Sequence, residues 1–382
     1  MFRSFAVLGL AASLVACAAS GVPGPDQSIS EEQLLSGAAI FSVPADTAGI
    51  ADPAILEVDD DMRAFVREQV GNARSDRQRM QRLLTGMVET GLMSLDYDDV
   101  QTKTARATFH DRIGNCISFT NLFVALGREA GLDVSFQIVE IPPVWYADSG
   151  FVVLNNHVNA LVEPTFASRV VVDFNITDLK GNYDTRTVSD DYALALYFNN
   201  VAMDELRKGN HLESFRLLKK AIETDATIAG QWANLGVLYL RKGVTDYAMS
   251  AYARALTLDP DNHSALTNLA TLHHKMGNRE QAEHYTRKIR HYQKRNPYYH
   301  YSLALAAYDN GKLARARESL RRAIRLKDNE HQFFQLQGLI HAGQGDLDAA
   351  LESFDRARDV AGFGDVRRKY DDKIAALNRR AN

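Results

Sequence analysis

Three residues that could together move an acyl group occur in the order Cys116, His157 and Asp173. A thiolate attacks carbonyl carbon, an imidazole takes up and returns a proton, and a carboxylate fixes the orientation of the imidazole. The thiol must sit where its anion is stabilised. The stretch Arg112-Ile113-Gly114-Asn115-Cys116-Ile117-Ser118-Phe119-Thr120-Asn121 opens a run with apolar residues at Ile117, Leu122, Phe123, Leu126 and Ala130, the spacing of a helix with one buried face that stops at Gly131. Cys116 falls in its first turn, where unpaired backbone N–H groups and the positive end of the helix dipole favour an anion. A free cysteine is more often a small buried hydrophobe, so its weight depends on the other two residues.

Past Gly131 the periodicity changes. Val134, Phe136 and Ile138 alternate with Ser135 and Gln137, the pattern of a half-buried strand that Pro142-Pro143 breaks. In Asn156-His157-Val158-Asn159-Ala160-Leu161-Val162, alternation sets Val158, Ala160 and Val162 on one face and His157, Asn159 and Leu161 on the other. In Val170-Val171-Val172-Asp173-Phe174-Asn175 the same alternation sets Asp173 opposite Val172, and a carboxylate ending an apolar strand needs a partner. A helix with Cys, a strand with His and a following strand with Asp is the order a thiol, a base and an orienting group require. Upstream, Glu31 to Leu35, Asp59 to Val70, Ser75 to Thr90 and Thr104 to Arg112 read as helices.

Gly114-Asn115-Cys116, the helix ending Ala125-Leu126-Gly127-Arg128-Glu129-Ala130-Gly131-Leu132, the His157 strand and Val172-Asp173-Phe174 together resemble the transglutaminase-like superfamily over about residues 59–180. The resemblance implies a papain-like α+β fold, with the Cys at a helix N-terminus packed on an antiparallel sheet that carries His and Asp. It implies Cys116 as nucleophile, His157 as base and then acid, and Asp173 as the group that fixes the imidazole. His110 is a weaker alternative base. Trp145 and Tyr146, after the Pro-Pro break, are candidates for a cleft wall. No CxxC or HxxxH pair points to a metal, and no glycine-rich phosphate loop is present, so no cofactor or metal is expected.

The 382 residues, 46% hydrophobic and 24% charged, exceed one ordinary core. A net charge of -4 excludes a typical nucleic-acid binder. The charge is uneven: residues 1–190 hold 14 Lys+Arg against 25 Asp+Glu, whereas residues 191–382 hold 30 against 23. Arg3 and the apolar run Phe5 to Ala16 have the layout of an export signal, 1–17, and Leu14-Val15-Ala16-Cys17 resembles the lipobox of bacterial lipoproteins. That resemblance implies lipidation of Cys17, and Ala18 after it implies the outer membrane, facing the periplasm. Residues 18–30, with Gly21, Pro23, Gly24 and Pro25, read as a flexible tether. With Cys17 lipidated, Cys116 has no partner for an intramolecular disulfide.

The second half is periodic. Gly209, Gly243, Gly277, Gly311 and Gly345 recur every 34 residues. Around the second of them Trp232, Leu235, Gly236, Tyr239, Ala248, Tyr252, Ala255 and Pro260 match the tetratricopeptide pattern, and Ala282, Ala316, Ala350, Phe354 and Ala357 continue it in weaker copies. The organisation expected is thus an α+β domain over 31–190, then five repeats over 195–364 stacked as an all-α right-handed solenoid. A helix over 365–382, marked by Val366, Tyr370, Ile374 and Leu377, would cover the open end. The pattern puts Asn199, Met203, Thr267, Thr271, His274, Tyr298, Tyr301, Tyr308 and Gln335 in the concave groove. Of these, Asn199, Thr267, Thr271, His274, Tyr298, Tyr301 and Tyr308 are expected to bind a partner, a protein or peptide. Arg287 to Arg295 and Arg315 to Lys327 place cations on the outer face. The function expected is an exported, lipid-anchored thiol enzyme of acyl transfer, hydrolysing or transferring an amide bond, with repeats that bind a partner. The alternative is a catalytically silent envelope scaffold acting through its repeats.

Overall fold

The computed structural model describes residues 29–42, 45–92, 96–97, 101–140, 144–145, 152–153, 157–164, 169–173, 184–361, 367 and 370–375. The signal-like stretch with Cys17, most of the tether, Pro142, Pro143, Tyr146, Phe174, Asn175, Val366 and Leu377 lie outside the described residues, as does the side chain of Trp145.

The first half runs α1 (Glu31–Ser36), α2 (Ala38–Phe41), α3 (Asp60–Val70), α4 (Asp76–Glu89), β1 (Asp96–Tyr97), α5 (Ala105–Asp111), β2 (Ile113–Gly114) and α6 (Cys116–Glu129). It continues with β3 (Val134–Val139), β4 (Val144–Trp145), β5 (Val152–Val153), β6 (His157–Val162), β7 (Val170–Val172) and β8 (Thr185–Val188). Helices begin where a short polar side chain can accept from an orphan N–H: Asp59 caps α3, Ser75 caps α4 and Thr104 caps α5. The main sheet has the order β7-β6-β3-β8 and each pairing is antiparallel. Its register sets His157 opposite Val139, and Asn159 opposite Gln137. Strand β7 ends at Val172, so Asp173 stands just past it rather than within a longer strand.

Helix α6 is pressed onto this sheet. A Cβ at Gly127 would meet Val134 Cγ2 at 2.8 Å, so glycine is what lets the helix approach β3 so closely. Phe123 and Phe136 are fully buried between them, in one core with Met62, Leu83 and Met87 of α3 and α4. All six residues of β6 are buried, so both faces of that central strand are covered.

The second half is five antiparallel helix pairs: α7 (Asp190–Lys208) with α8 (His211–Thr224), α9 (Ala229–Arg241) with α10 (Thr245–Leu258), α11 (His263–Lys275) with α12 (Arg279–Arg295), α13 (Pro297–Asp309) with α14 (Leu313–Leu326), and α15 (His331–Gly343) with α16 (Leu347–Val360). The five periodic glycines all have positive φ, from 68° to 86°, and follow the first helix of each pair. Nothing lies within 4 Å of a Cβ built on any of them, so the left-handed backbone of the turn, not crowding, requires glycine there. Within pairs the small residue is steric: a Cβ at Gly236 would meet Tyr252 at 2.5 Å. The open end is covered by residues 370–375, whose Tyr370 is buried, with its hydroxyl 2.7 Å from His331 Nδ1 and donating to Gln335 Oε1 at 3.0 Å.

Two features depart from a division into 31–190 and 195–364. Residues 31–50 pack on the repeats, not on the α+β core. Leu34 and Ala45 lie in the repeat core, Phe41 meets Phe215 edge to face at 5.7 Å, and Tyr239 donates its hydroxyl to Leu34 O at 2.6 Å. The apolar face of α1 is too short to bury alone and finds its cover on α10 and, at Tyr239, α9. Secondly, α7 belongs to both cores: Tyr192, Ala193, Ala195 and Leu196 pack with the sheet domain, Phe198, Ala202 and Leu206 with the repeats. A bidentate Arg128–Asp190 ion pair, at 2.6 and 2.9 Å, ties α6 to the start of α7.

Candidate functional site

Cys116 is the first residue of α6, and the turn before it is clamped. Asn115 Oδ1 accepts from Ser118 N at 3.1 Å, its Nδ2 donates to Thr102 Oγ1 at 2.6 Å, and Ser118 Oγ accepts from Lys103 N at 2.8 Å. Asn115 and Ser118 thus form a capping box that also fastens residues 101–103 to the helix start. A Cβ at Gly114 would meet Ser118 Cβ at 2.5 Å, so this tight approach needs glycine. Thr120 Oγ1, one turn on, donates to Cys116 O at 2.8 Å and lies 3.1 Å from Val158 O. That single hydroxyl links the cysteine turn to the strand carrying the histidine.

His157 opens β6 and is 4% exposed. Its Nε2 lies 2.7 Å from Asp173 Oδ1, and the Cys116 thiol is the second side chain that interacts with the imidazole. Burial by itself would depress the imidazole's pKa, but the hydrogen bonds to Asp173 and Cys116, and their negative charge, outweigh it and raise it from 6.5 to about 9. Asn159 Nδ2 donates to the second carboxylate oxygen, Asp173 Oδ2, at 3.2 Å. The structure places Asp173 and Cys116 beside the His157 imidazole. Asn159 was placed on the right face by strand alternation, but its role in holding Asp173 was missed; a polar residue two positions from the histidine on a buried strand was the signal.

The arrangement can perform acyl transfer. A charged imidazole beside the thiol supports the thiolate. Of the first-turn N–H groups of α6, that of Ser118 is taken by Asn115 Oδ1, and those of Cys116 and Ile117, which lack an intrahelical acceptor, are the ones available to an oxyanion beside the thiol. His110 is elsewhere: its Nε2 bonds to Asp59 Oδ2 at 2.7 Å. Asp59, Asp61 and His110 bring potential ligand atoms within 4.8 Å of one another, but Asp59 is already the α3 cap, and His110 and Asp61 are exposed.

The sulfur side of the site opens into a cleft of about 910 Å³ whose far wall is made of repeats, including Asn199 of α7. Met203, also expected in the groove, lines it too, whereas Thr267, Thr271, His274, Tyr298, Tyr301, Tyr308 and Gln335 do not. Thr271 is exposed, with its hydroxyl on Thr267 O at 2.8 Å, and His274 is exposed one turn further on. The tyrosines need correcting as open contacts. Tyr301 stacks on Phe333 at 5.0 Å, Tyr298 meets the same ring edge to face at 5.5 Å and donates to Glu330 at 2.9 Å, and Tyr308 packs on the same cluster. Burial raises the Tyr301 hydroxyl to about 12. These rings pack in one cluster with Phe333, Leu336 and Ile340 of α15.

A family model described as transglutaminase-like superfamily matches residues 63–149, which include Cys116 but end before His157. Two tetratricopeptide repeat models match 239–306 and 301–364. Tetratricopeptide repeat protein 16 of Macaca fascicularis and that of Homo sapiens are each 31% identical over 116 residues, 28% of this chain and 13% of theirs, so the chain spans a small part of those relatives' length. Among solved structures, MamA 41-end from Desulfovibrio magneticus RS-1 is 20% identical, covering 45% of this chain and 96% of its own at a TM-score of 0.25. YrrB, titled a TPR protein with an unusual peptide-binding site, is 19% identical, covering 44% and 86%, also at 0.25. By these family matches the chain carries a transglutaminase-like domain, 63–149, followed by tetratricopeptide repeats, 239–364.

Proposed function

We propose that this protein is a thiol enzyme of acyl transfer acting on amide bonds of a polypeptide or peptide-like substrate, with repeats that bind a protein or peptide partner. The observation that carries this is His157 held between Asp173, at 2.7 Å, and the Cys116 thiol at a helix N-terminus. Cys116 Sγ attacks the carbonyl carbon, and the oxyanion forms against the N–H groups of Cys116 and Ile117. His157 gives its proton to the departing amine, leaving a thioester on Cys116. Water or a second amine then attacks the thioester while His157 takes its proton back, giving hydrolysis or transamidation. Asp173 holds the imidazole throughout, and Asn159 holds Asp173.

We further propose that Cys17 is lipidated and that the protein is held at the outer membrane facing the periplasm; the lipobox-like Leu14-Val15-Ala16-Cys17 supports this. No helix among the described residues is long and apolar enough to cross a membrane. The enzymatic proposal is tested with a fluorescent thiol-directed activity probe on the purified chain. Labelling at Cys116 that disappears in Cys116→Ala and His157→Ala, and falls on the order of a hundredfold in rate in Asp173→Asn, is expected. A thiol that resists the probe until the chain is unfolded would point to the silent scaffold.

A further inference from the structure

The cleft beside Cys116 has two walls from two domains. On one side stand Cys116, Ile138, Glu140, Asp184 and Arg186; on the other, Asn199, Gln231, Asn234, Asp259 and Asp261 of the first repeats. Because α7 is packed into both cores, these walls are parts of one framework.

The repeat wall is built of amides. Asn234 Nδ2 donates to Asn199 Oδ1 at 2.9 Å and Asn199 Nδ2 donates to Asn200 Oδ1 at 3.3 Å, which leaves the Asn234 carbonyl oxygen unused by that chain. Gln231, one turn earlier on α9, is 0% exposed and lies in the cleft wall, yet neither its Oε1 nor its Nε2 has a hydrogen-bond partner among the described residues. An unpaired buried amide is costly, and one that offers a donor and an acceptor together matches a peptide group.

Among the described residues the charge of the cleft is one-sided. Glu140, Asp184, Asp259 and Asp261 line it, and the cation facing them, Arg186, is engaged by the Tyr192 hydroxyl at 2.6 Å and by Glu140 at 3.8 Å. Of the other titratable groups there, His263 is neutral, its pKa lowered to about 4 by burial, and Tyr192 and Tyr292 are raised by burial and uncharged.

Resting on the acyl-transfer reading above, we propose that the substrate is an extended, lysine- or arginine-bearing polypeptide segment bound across this cleft. Gln231 and Asn234 hold a peptide group, and the carboxylates of both walls hold the cationic side chains. The first repeats are then part of the substrate site itself, and the segment they hold is the one whose carbonyl reaches Cys116. A potential of this sign attracts cationic segments and excludes acidic ones.

The test is binding to the full chain carrying Cys116→Ala, so that no turnover intervenes. The probes are three fluorescein-labelled unstructured peptides of equal length, built on glycine and serine with lysine, with glutamate or with neither. Fluorescence anisotropy should show the lysine peptide binding, more weakly as salt rises, and the glutamate peptide not binding. Glu140→Gln, Asp184→Asn and Asp261→Asn together remove three exposed carboxylates, and should weaken the lysine peptide about tenfold, with an unchanged melting temperature showing that the Glu140–Arg186 pair is not needed for the fold. Gln231→Leu, checked for an unchanged melting temperature, should weaken the lysine peptide as well. Equal binding of the glutamate peptide, or lysine-peptide binding untouched by the triple variant, overturns the proposal. If it fails while probe labelling of Cys116 persists, the enzyme reading stands with another substrate; if labelling fails and the peptide binds, the cleft is a binding site only.

Discussion

Replacing Asp173 by Asn keeps the shape of the side chain and removes the charge that holds His157 protonated. The imidazole's rise from 6.5 to about 9 corresponds to about 3 kcal/mol of preference for its charged form in the folded site. Burial acts in the opposite sense, so without Asp173 the ring keeps only the thiol as a charge partner and should titrate near or below its ordinary value. A raised histidine contributes its full stabilisation below pH 6.5, where the unfolded chain's imidazole is also protonated. The contribution declines as pH rises through the folded value near 9. The difference in unfolding free energy between the natural chain and Asp173→Asn should therefore be largest below pH 6.5, about 3 kcal/mol if the pair dominates, and should shrink by pH 9.5. Urea unfolding at pH 6 and pH 9.5 measures the difference, and the Cε1 proton resonance of His157 reports its protonation directly. A natural-chain His157 that titrates near 6.5, or a stability gap that does not close at high pH, would refute the reasoning.

Tyr301→Ala should lower the melting temperature rather than act only on partner binding, because the ring stacks on Phe333; a loss of about 2–3 kcal/mol by chemical denaturation is expected. Gly114→Ala should force the Asn115–Ser118 capping box apart, with thiol-probe labelling of Cys116 falling well before global stability does, as measured by labelling rate and circular dichroism on the same sample. Cys17→Ser should abolish incorporation of labelled fatty acid in cells; equal labelling of the variant would remove the anchor from the account.

Local patterns are legible where a residue type acts through its own backbone. Ser75, Thr104 and Asn115 mark helix starts because a short acceptor satisfies a nearby N–H. Gly209 through Gly345 mark the repeat turns because each must adopt positive φ. The cysteine, histidine and aspartate could be chosen as a set because their elements announce themselves by period, and because acyl transfer needs those three chemistries. Strand β8 was not legible: Thr185–Val188 is a mostly exposed edge strand without apolar alternation, and its identity comes from pairing with β3.

What only the tertiary structure decided are the contacts between residues far apart in the chain, which no local preference encodes. Asn159 supports Asp173 across 14 positions, and Thr120 reaches Val158 across 38. Leu34 leaves the α+β domain for the repeats, where Tyr239 meets its carbonyl oxygen from 205 positions away. Helix α7 reads as the first helix of a repeat, yet half its apolar face is claimed by the neighbouring core. A helix's period says that a face must be buried; which partner buries it is settled by the surface that the rest of the folded chain leaves open. The same competition sets Tyr298 and Tyr301 against Phe333 of α15 rather than leaving them as open groove contacts, since an apolar ring of the same chain is at hand to bury them.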